Sequence, residues 1–158
     1  MRCSWWRPDA TSNVSPREQW LAKRRTLITA GDIPAILGVH PFQTPAGIAL
    51  DKRGRADSED KAIMSWGRHF EAGIGTAFAE ATVREVFDQE PFTIAIHPEI
   101  EWLGATLDKT MILNSERMPL ECKLLLGRPD AWPDGEDAPL SFQFQLQGQM
   151  AVTQSSGG

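Results

Sequence analysis

Two short polar segments interrupt apolar stretches in the second half of the chain, and they constrain its fold more than any other feature. They are Leu107-Asp108-Lys109 and Leu120-Glu121-Cys122-Lys123. Because side chains alternate between the faces of a strand, Glu121 and Lys123 would share one face while Cys122 points into a core. A turn near 114–117 would return the chain and bring Asp108 to the same end of a sheet.

This combination of charges is suited to metal chemistry. Two carboxylates, those of Asp108 and Glu121, can hold a hard cation such as Mg²⁺, and the ammonium of Lys123 can orient or deprotonate a water. The set fits metal-assisted hydrolysis of a phosphodiester. Charged side chains inside an apolar strand need a partner or a metal. A surface ion pair at a sheet edge fits the same spacing, so the spacing alone leaves both interpretations open.

Composition bounds the class of protein. The 158 residues suggest one domain, and the net charge of −5 argues against a basic protein that coats nucleic acid. It does not exclude a DNA enzyme, because the clusters at 23–25 and 52–55 are locally basic, although solvated helix ends explain them equally well. Cys3 and Cys122 are too few for an iron–sulfur or all-cysteine zinc site. Without a signal peptide or membrane-length apolar run, and with Cys122 in a predicted buried strand, we expect a protein of a reducing cytoplasm.

Capping signals place the helices of the first half. Ser15, followed by Pro16 and Glu18, predicts a helix start with a capping box. A second box at 29–32 starts a helix that Gly38 ends, and a third helix runs from Thr44-Pro45 to Gly54. Apolar residues at helical spacing predict a longer helix over 61–86, including Trp66 and Phe70. Residues 1–14 are expected to form a flexible arm and residues 154–158 a disordered tail.

The second half changes to strand periodicity. Strands are predicted over 92–96, 103–107 and 120–126. The last element, 142–152, alternates like a strand, whereas as a helix it would place Gln145 and Gln149 on one face. The resulting fold class is α/β.

Other polar residues give weaker signals. Glu71 is expected near the border of the packed face of the long helix. It could be a further carboxylate of the site or an ordinary surface residue. His40, His69 and His97 are not spaced as zinc ligands, although His69 is one turn from Trp66 and could reach a site. No P-loop motif is present.

The whole order of segments resembles one family, the YqaJ-type viral recombinases, relatives of phage lambda exonuclease within the PD-(D/E)XK nucleases. The resemblance covers about residues 16–153. The matching segments are 20–30, 36–42, 44–45, 52–54, 64–71, 97–98, 103–108, 120–123 and 145–150.

The resemblance implies a restriction-endonuclease-like core, a small mixed sheet flanked by helices, over residues 15–153. It implies that Asp108 and Glu121 bind Mg²⁺, or Mn²⁺ in its place, together with the backbone carbonyl of Cys122. Lys123 would position the attacking water. Glu71 would complete the metal site, and Gln145 would belong to the last active-site helix, which favours a helix over 142–152. The residues implied to bind the DNA 5′-phosphate are Arg24, Thr29, Ala30 and Gly31.

Three departures from the family pattern stand out. Gly31 replaces the usual serine after Thr-Ala, which removes a hydroxyl donor. Leu107 replaces a frequent proline, a change expected to matter little. The chain also stops soon after the glutamine helix, which suggests C-terminal truncation.

The implied activity is that of a Mg²⁺-dependent deoxyribonuclease that digests linear double-stranded DNA from 5′ to 3′ in phage recombination. The expected partners are double-stranded DNA ends, a phage single-strand annealing protein and, in a ring, further copies of the chain. No membrane is expected as a partner, and the resemblance implies a location in the bacterial cytoplasm or in a phage-infected host. Two alternatives stay open: an endonuclease of the same superfamily, and a non-catalytic DNA-binding or partner-binding remnant.

Overall fold

The structure, a computed structural model, describes residues 2–55, 62–125, 132 and 135–158. Five helices and seven short strands alternate along these residues, with one 3₁₀ turn. In chain order they are β1 (Ser4–Trp6), α1 (Pro16–Arg25), β2 (Ile28–Thr29), the 3₁₀ turn (Ala30–Asp32), α2 (Ile33–Ile36), α3 (Pro45–Lys52), α4 (Ala62–Thr82), β3 (Val86–Asp88), β4 (Ile94–Ile96), β5 (Leu103–Ala105), β6 (Lys109–Leu113), β7 (Glu116–Leu120) and α5 (Leu140–Thr153).

The strands form two small sheets. The first is mixed, with the order β1-β4-β5-β2 and β2 parallel to β5. The second is antiparallel, with the order β3-β6-β7. Helix α5 packs against β4 and β5 of the first sheet and against β7 of the second, so it joins the two sheets. This arrangement is the predicted α/β class.

The core lies between the mixed sheet and α5. Ala30, Ala95, Ala105, Leu107 and Val152 form a buried apolar cluster. The 3₁₀ turn packs closely on α5 because Gly148 has no side chain, and a Cβ there would lie 3.1 Å from the Cβ of Ala30. A glycine in the middle of α5 lowers helix propensity by up to ~1 kcal/mol relative to alanine, and the close packing explains its use here.

The predicted helix starts are confirmed. The Ser15 side chain accepts from Glu18 N while Glu18 reaches back to the backbone of Ser15. The box at 29–32 opens the 3₁₀ turn, which continues into α2, and Gly38 follows with a φ of 73°. The Thr44 side chain caps α3 through Gly47 N.

The long helix is shorter than predicted. Helix α4 ends at Thr82, because Val83 turns the chain with a φ of 54° and Val86 begins β3. The apolar spacing predicted that Trp66 and Phe70 would be packed, yet they are 55% and 47% exposed and stack on each other.

The strand prediction over 120–126 is wrong. Strand β7 ends at Leu120, and residues 121–125 are irregular; Leu126 lies outside the described residues. Asn114 and Ser115, both with positive φ, form a tight turn that pairs Leu113 with Glu116. In this register residues 116–120 pair with β6, so Glu121 lies just beyond the end of the strand.

Residues near both ends of the chain form ordered contacts, whereas a flexible arm and a disordered tail were expected. Within the predicted flexible arm, β1 pairs with β4, and Arg2 N donates to Thr153 O at 2.9 Å. Within the predicted disordered tail, Ser156 donates twice to the Glu116 carboxylate, at 3.0 and 2.6 Å. Both expectations rested on polar composition, which does not reveal contacts made by distant partners. In the described part of the chain, no helix has the length and apolarity needed to cross a membrane.

Candidate active site

The two predicted metal acids meet at one end of the three-stranded sheet. Lys109 pairs with Leu120 across β6 and β7, so Asp108, just before β6, and Glu121, just after β7, lie at the same end. Asp108 Oδ2 accepts a hydrogen bond from Cys122 N at 2.8 Å. The predicted return of the chain therefore brings these segments together, although through a hairpin in which Glu121 is not part of the strand.

Glu121 is the centre of a buried hydrogen-bond network. Its Oε1 accepts from Gln145 Nε2 and pairs with Lys123 Nζ, each at 2.6 Å, and its Oε2 accepts from Gln149 Nε2 at 2.5 Å. Lys123 Nζ also donates to Gln145 Oε1 at 3.0 Å. The Glu121 side chain is only 8% exposed, so its pair with Lys123 is not a surface ion pair.

Helix α5 supplies both amides. Gln145 and Gln149 are one turn apart, which places them on one face of the helix, as the helical interpretation of 142–152 predicted. Gln149 is fully buried and also donates to the Thr106 carbonyl at 3.2 Å. The spacing of four between Gln145 and Gln149 predicts this shared face, although Gln149 is not among the predicted site residues.

Asp108 is largely buried and lies near two other carboxylates, those of Glu121 and Glu71. Burial, followed by the charge of Glu121, raises the pKa of Asp108 to about 7; the charge of Glu71 adds to the rise, and the Cys122 N–H and Lys123 oppose it. A cation bound at this point would relieve the repulsion between the carboxylates. Burial also raises the pKa of the Cys122 thiol to about 11, so this sulfur stays protonated at neutral pH.

Glu71 lies on α4 near these acids, and its charge contributes to the pKa shifts of both Asp108 and Cys122. Among the described residues, no group of three or more His, Cys, Asp or Glu side chains is gathered closely enough to be recognised as a metal site. Mg²⁺ often uses only one or two protein carboxylates and keeps several waters. The two carboxylates of Asp108 and Glu121 therefore fit Mg²⁺, and the oxygen donors fit it better than a softer metal.

Comparison with known proteins identifies the family. Residues 19–156 match the YqaJ-like viral recombinase domain. The chain belongs to this family. It is 29% identical over 147 residues to the uncharacterized protein YqaJ of Bacillus subtilis (strain 168), a match that covers 90% of this chain and 44% of that protein. The chain thus spans less than half the length of this relative.

Solved structures share the fold. The alkaline exonuclease LHK-Exo from Laribacter hongkongensis superposes with a TM-score of 0.61 at 21% identity, covering 87% of this chain and 69% of that one. The structure of LHK-Exo in complex with dAMP gives a TM-score of 0.64 at 20% identity with the same coverage. These matches confirm the predicted restriction-endonuclease-like fold.

The residues expected to bind the 5′-phosphate lie in α1 (Arg24), in β2 (Thr29) and in the 3₁₀ turn (Ala30 and Gly31). The Arg24 guanidinium stacks over Trp20, 4.6 Å from the ring centroid, and its Nε is buried without an acceptor in the described structure. Thr29 is different, because its N–H and hydroxyl both donate to Asp32 Oδ2, at 2.7 and 2.8 Å. Asp32 in turn pairs with Lys52 Nζ at 2.6 Å, which adds a cation to this region.

One neighbour of the candidate site was not predicted from the sequence. Burial, and then the charge of Lys123, lowers the pKa of His40, which places this imidazole near the lysine. Its Nδ1 accepts from Phe42 N and Gln43 N, at 3.1 and 3.0 Å, so the neutral ring carries its proton on Nε2. His69, one turn from Trp66, makes a T-shaped ring contact with Trp66 and is exposed.

Proposed function

We propose that this chain is a Mg²⁺-dependent deoxyribonuclease that digests linear double-stranded DNA from its 5′ ends. The observation that carries the proposal is the Asp108–Glu121 pair, in which Glu121 is held by Lys123, Gln145 and Gln149. Membership of the YqaJ-like viral recombinase family and the fold shared with an alkaline exonuclease support it.

Asp108, Glu121 and the Cys122 carbonyl, with Glu71 beside them, would hold the metal. When bound, Mg²⁺ would supply Lewis-acid polarisation of the scissile phosphate and acidify a bound water. The chain's own contribution is preorganisation. Gln145 and Gln149 fix both oxygens of Glu121, so this carboxylate does not have to be ordered when the substrate binds.

Lys123 would position the attacking water. Its Nζ is held between Glu121 Oε1 and Gln145 Oε1, at 2.6 and 3.0 Å, and the side chain is 27% exposed, so one donor direction can face the substrate. The ring of Phe142 lies 5.2 Å from this ammonium and limits its movement.

Arg24 is the residue we assign to the DNA 5′-phosphate. Its buried Nε has no acceptor in the described structure, and a phosphate oxygen would provide one. Ala30 and Gly31 would assist through backbone N–H groups. Thr29 would do so only if its donors left Asp32. A ring of copies and a single-strand annealing protein in phage recombination complete the proposal, and these rest on the family resemblance.

The test uses the purified chain with end-labelled linear duplex and covalently closed circular DNA, each with Mg²⁺ or EDTA. We expect Mg²⁺-dependent digestion of the linear duplex only. Glu121→Gln should abolish it, whereas Glu80→Gln on the exposed side of α4 should not. Digestion of the circle would indicate an endonuclease. Absence of digestion, together with no Mg²⁺-induced rise in melting temperature, would indicate a non-catalytic binding protein.

A further inference from the structure

Lys109 is a buried lysine immediately next to Asp108, and the proposed mechanism gives it no role. It is only 6% exposed. Across the sheet it pairs with Asp88 of β3, and its ammonium forms an ion pair with the Asp88 carboxylate. A buried ammonium is costly unless its surroundings hold it in place, so its position calls for a physical reason.

The stem of Lys109 packs directly on helix α4. Gly75 is buried, and a Cβ on it would overlap Cδ and Cε of Lys109 and lie 3.3 Å from Nζ. Gly67 and Gly73 of the same helix have no atom within 4 Å of the corresponding position. Of the three glycines of α4, only Gly75 packs against Lys109 of β6, and this contact is possible because the residue lacks a side chain.

The same contact lies one turn from Glu71. Residues four apart share a face of a helix, so Glu71 and Gly75 both face the sheet that carries Asp108. The effect of Glu71 on the pKa of Asp108 agrees with this placement. Lys109 thus follows Asp108 in the chain and packs against α4, the helix that carries Glu71.

We propose that Lys109 and Gly75 form a seat that sets the distance of α4 from β6, and that Lys109 acts as a positioning residue for Glu71 at the metal site. The inference rests on the proposed function. The aliphatic stem of Lys109 sets the spacing, and the Asp88 ion pair keeps the stem extended beneath the helix. A displacement of α4 would move Glu71 away from Asp108 and Glu121.

The test measures Mn²⁺ binding to the DNA-free protein by electron paramagnetic resonance, which does not depend on turnover. Gly75→Ala should weaken Mn²⁺ binding by about 10- to 100-fold, as changes in residues that position metal ligands commonly do. Gly73→Ala, the matched control two residues away, should leave it unchanged. Equal Mn²⁺ affinity in the two variants would overturn the proposal.

Two double variants separate positioning from a general loss of structure. Lys109→Ala removes the side-chain atoms that a Cβ at position 75 would overlap. The double variant Gly75→Ala/Lys109→Ala should therefore bind Mn²⁺ more tightly than expected from adding the losses in binding free energy of the two single variants. In a Glu71→Ala background, Gly75→Ala should have no further effect on Mn²⁺ affinity. Additive effects in both pairs would overturn the proposal. Lys109→Met keeps the stem and should bind Mn²⁺ better than Lys109→Ala.

The two proposals fail differently. Suppose that wild type binds Mn²⁺, that Asp108→Asn abolishes this binding and that Gly75→Ala does not weaken it. The proposed role of the Lys109–Gly75 contact is then wrong, and the metal site stands. If wild type shows no Mn²⁺ binding that Asp108→Asn or Glu121→Gln removes, the metal site is wrong and the role of Lys109 fails with it.

Discussion

Gln149 Nε2 donates to Glu121 Oε2 at 2.5 Å from a side chain that is completely buried. The same Nε2 donates to the Thr106 carbonyl, next to the segment that carries Asp108. One amide of α5 therefore ties together the two strand ends that bear the site acids. The order of the site depends on α5 as much as on the hairpin.

Gln149→Leu is expected to reduce both stability and activity. The change leaves the Thr106 carbonyl and one Glu121 oxygen without a buried donor, which costs about 1–3 kcal/mol for each unsatisfied group. Gln145→Leu affects a less buried side chain, so its loss of stability should be smaller. Chemical denaturation of both variants measures this, and equal stability of Gln149→Leu and wild type would contradict the role of Gln149.

Lys123→Met should remove most activity while the fold is retained. The substitution deletes the ammonium that would position the water, an effect of about 10²–10⁴-fold on the rate. Glu121 would still be held by Gln145 and Gln149 but would lose its ammonium partner, so the melting temperature should also fall, and circular dichroism checks that the fold is kept. Single-turnover digestion of labelled duplex gives the rate. Arg17→Met, which removes an exposed cation of α1 from outside this network, should leave the rate of the chemical step unchanged.

Metal-free stability should fall as the pH rises from about 4 to about 7. The pKa of Asp108 is raised to about 7 from an ordinary value of 3.8, so in this window the folded state keeps a proton that the unfolded state has lost. Asp108→Asn, which stays neutral, should lack this part of the slope and be more stable than wild type at pH 8. Melting curves in EDTA test this, and identical pH slopes in the two proteins would contradict it.

Metal affinity should show the opposite dependence on pH. Bound Mg²⁺ needs the ionised form of Asp108, so binding near pH 6 must release its proton and should be weaker than at pH 8. Calorimetry of Mg²⁺ binding in two buffers with different ionisation enthalpies would measure the protons released. Release of no proton near pH 6 would indicate that Asp108 is already ionised there.

Arg24→Gln should reduce the preference for phosphorylated ends. One charge-assisted hydrogen bond is worth about 1.5–3 kcal/mol, which corresponds to a loss of about tenfold or more in selectivity. The measurement compares initial rates on duplexes with 5′-phosphate and 5′-hydroxyl ends. Arg25→Gln, the neighbouring arginine, is the matched control. A preference that persists in Arg24→Gln would place the phosphate elsewhere.

Local signals in the sequence were sufficient for the starts of α1, the 3₁₀ turn and α3, but not for the end of α4. The capping box at Ser15 and the turn at Gly38 depend on residues within a few positions of each other, and both are confirmed. The acids Asp108 and Glu121 were also identifiable, because charges inside apolar segments are unusual. The strand over 120–126 was predicted wrongly because β7 ends at Leu120, a register set by the Asn114-Ser115 turn and by pairing with β6.

The residue types available for metal chemistry can be identified from the chain alone, whereas their arrangement depends on tertiary packing. Whether Glu121 and Lys123 form a surface pair or a buried network depends on α5, which follows them by about twenty residues and supplies Gln145 and Gln149. The contact of Lys109 with Gly75 likewise joins residues 34 positions apart. Such contacts depend on how helices pack on the sheet, and packing of distant segments leaves no periodic signal in a single sequence.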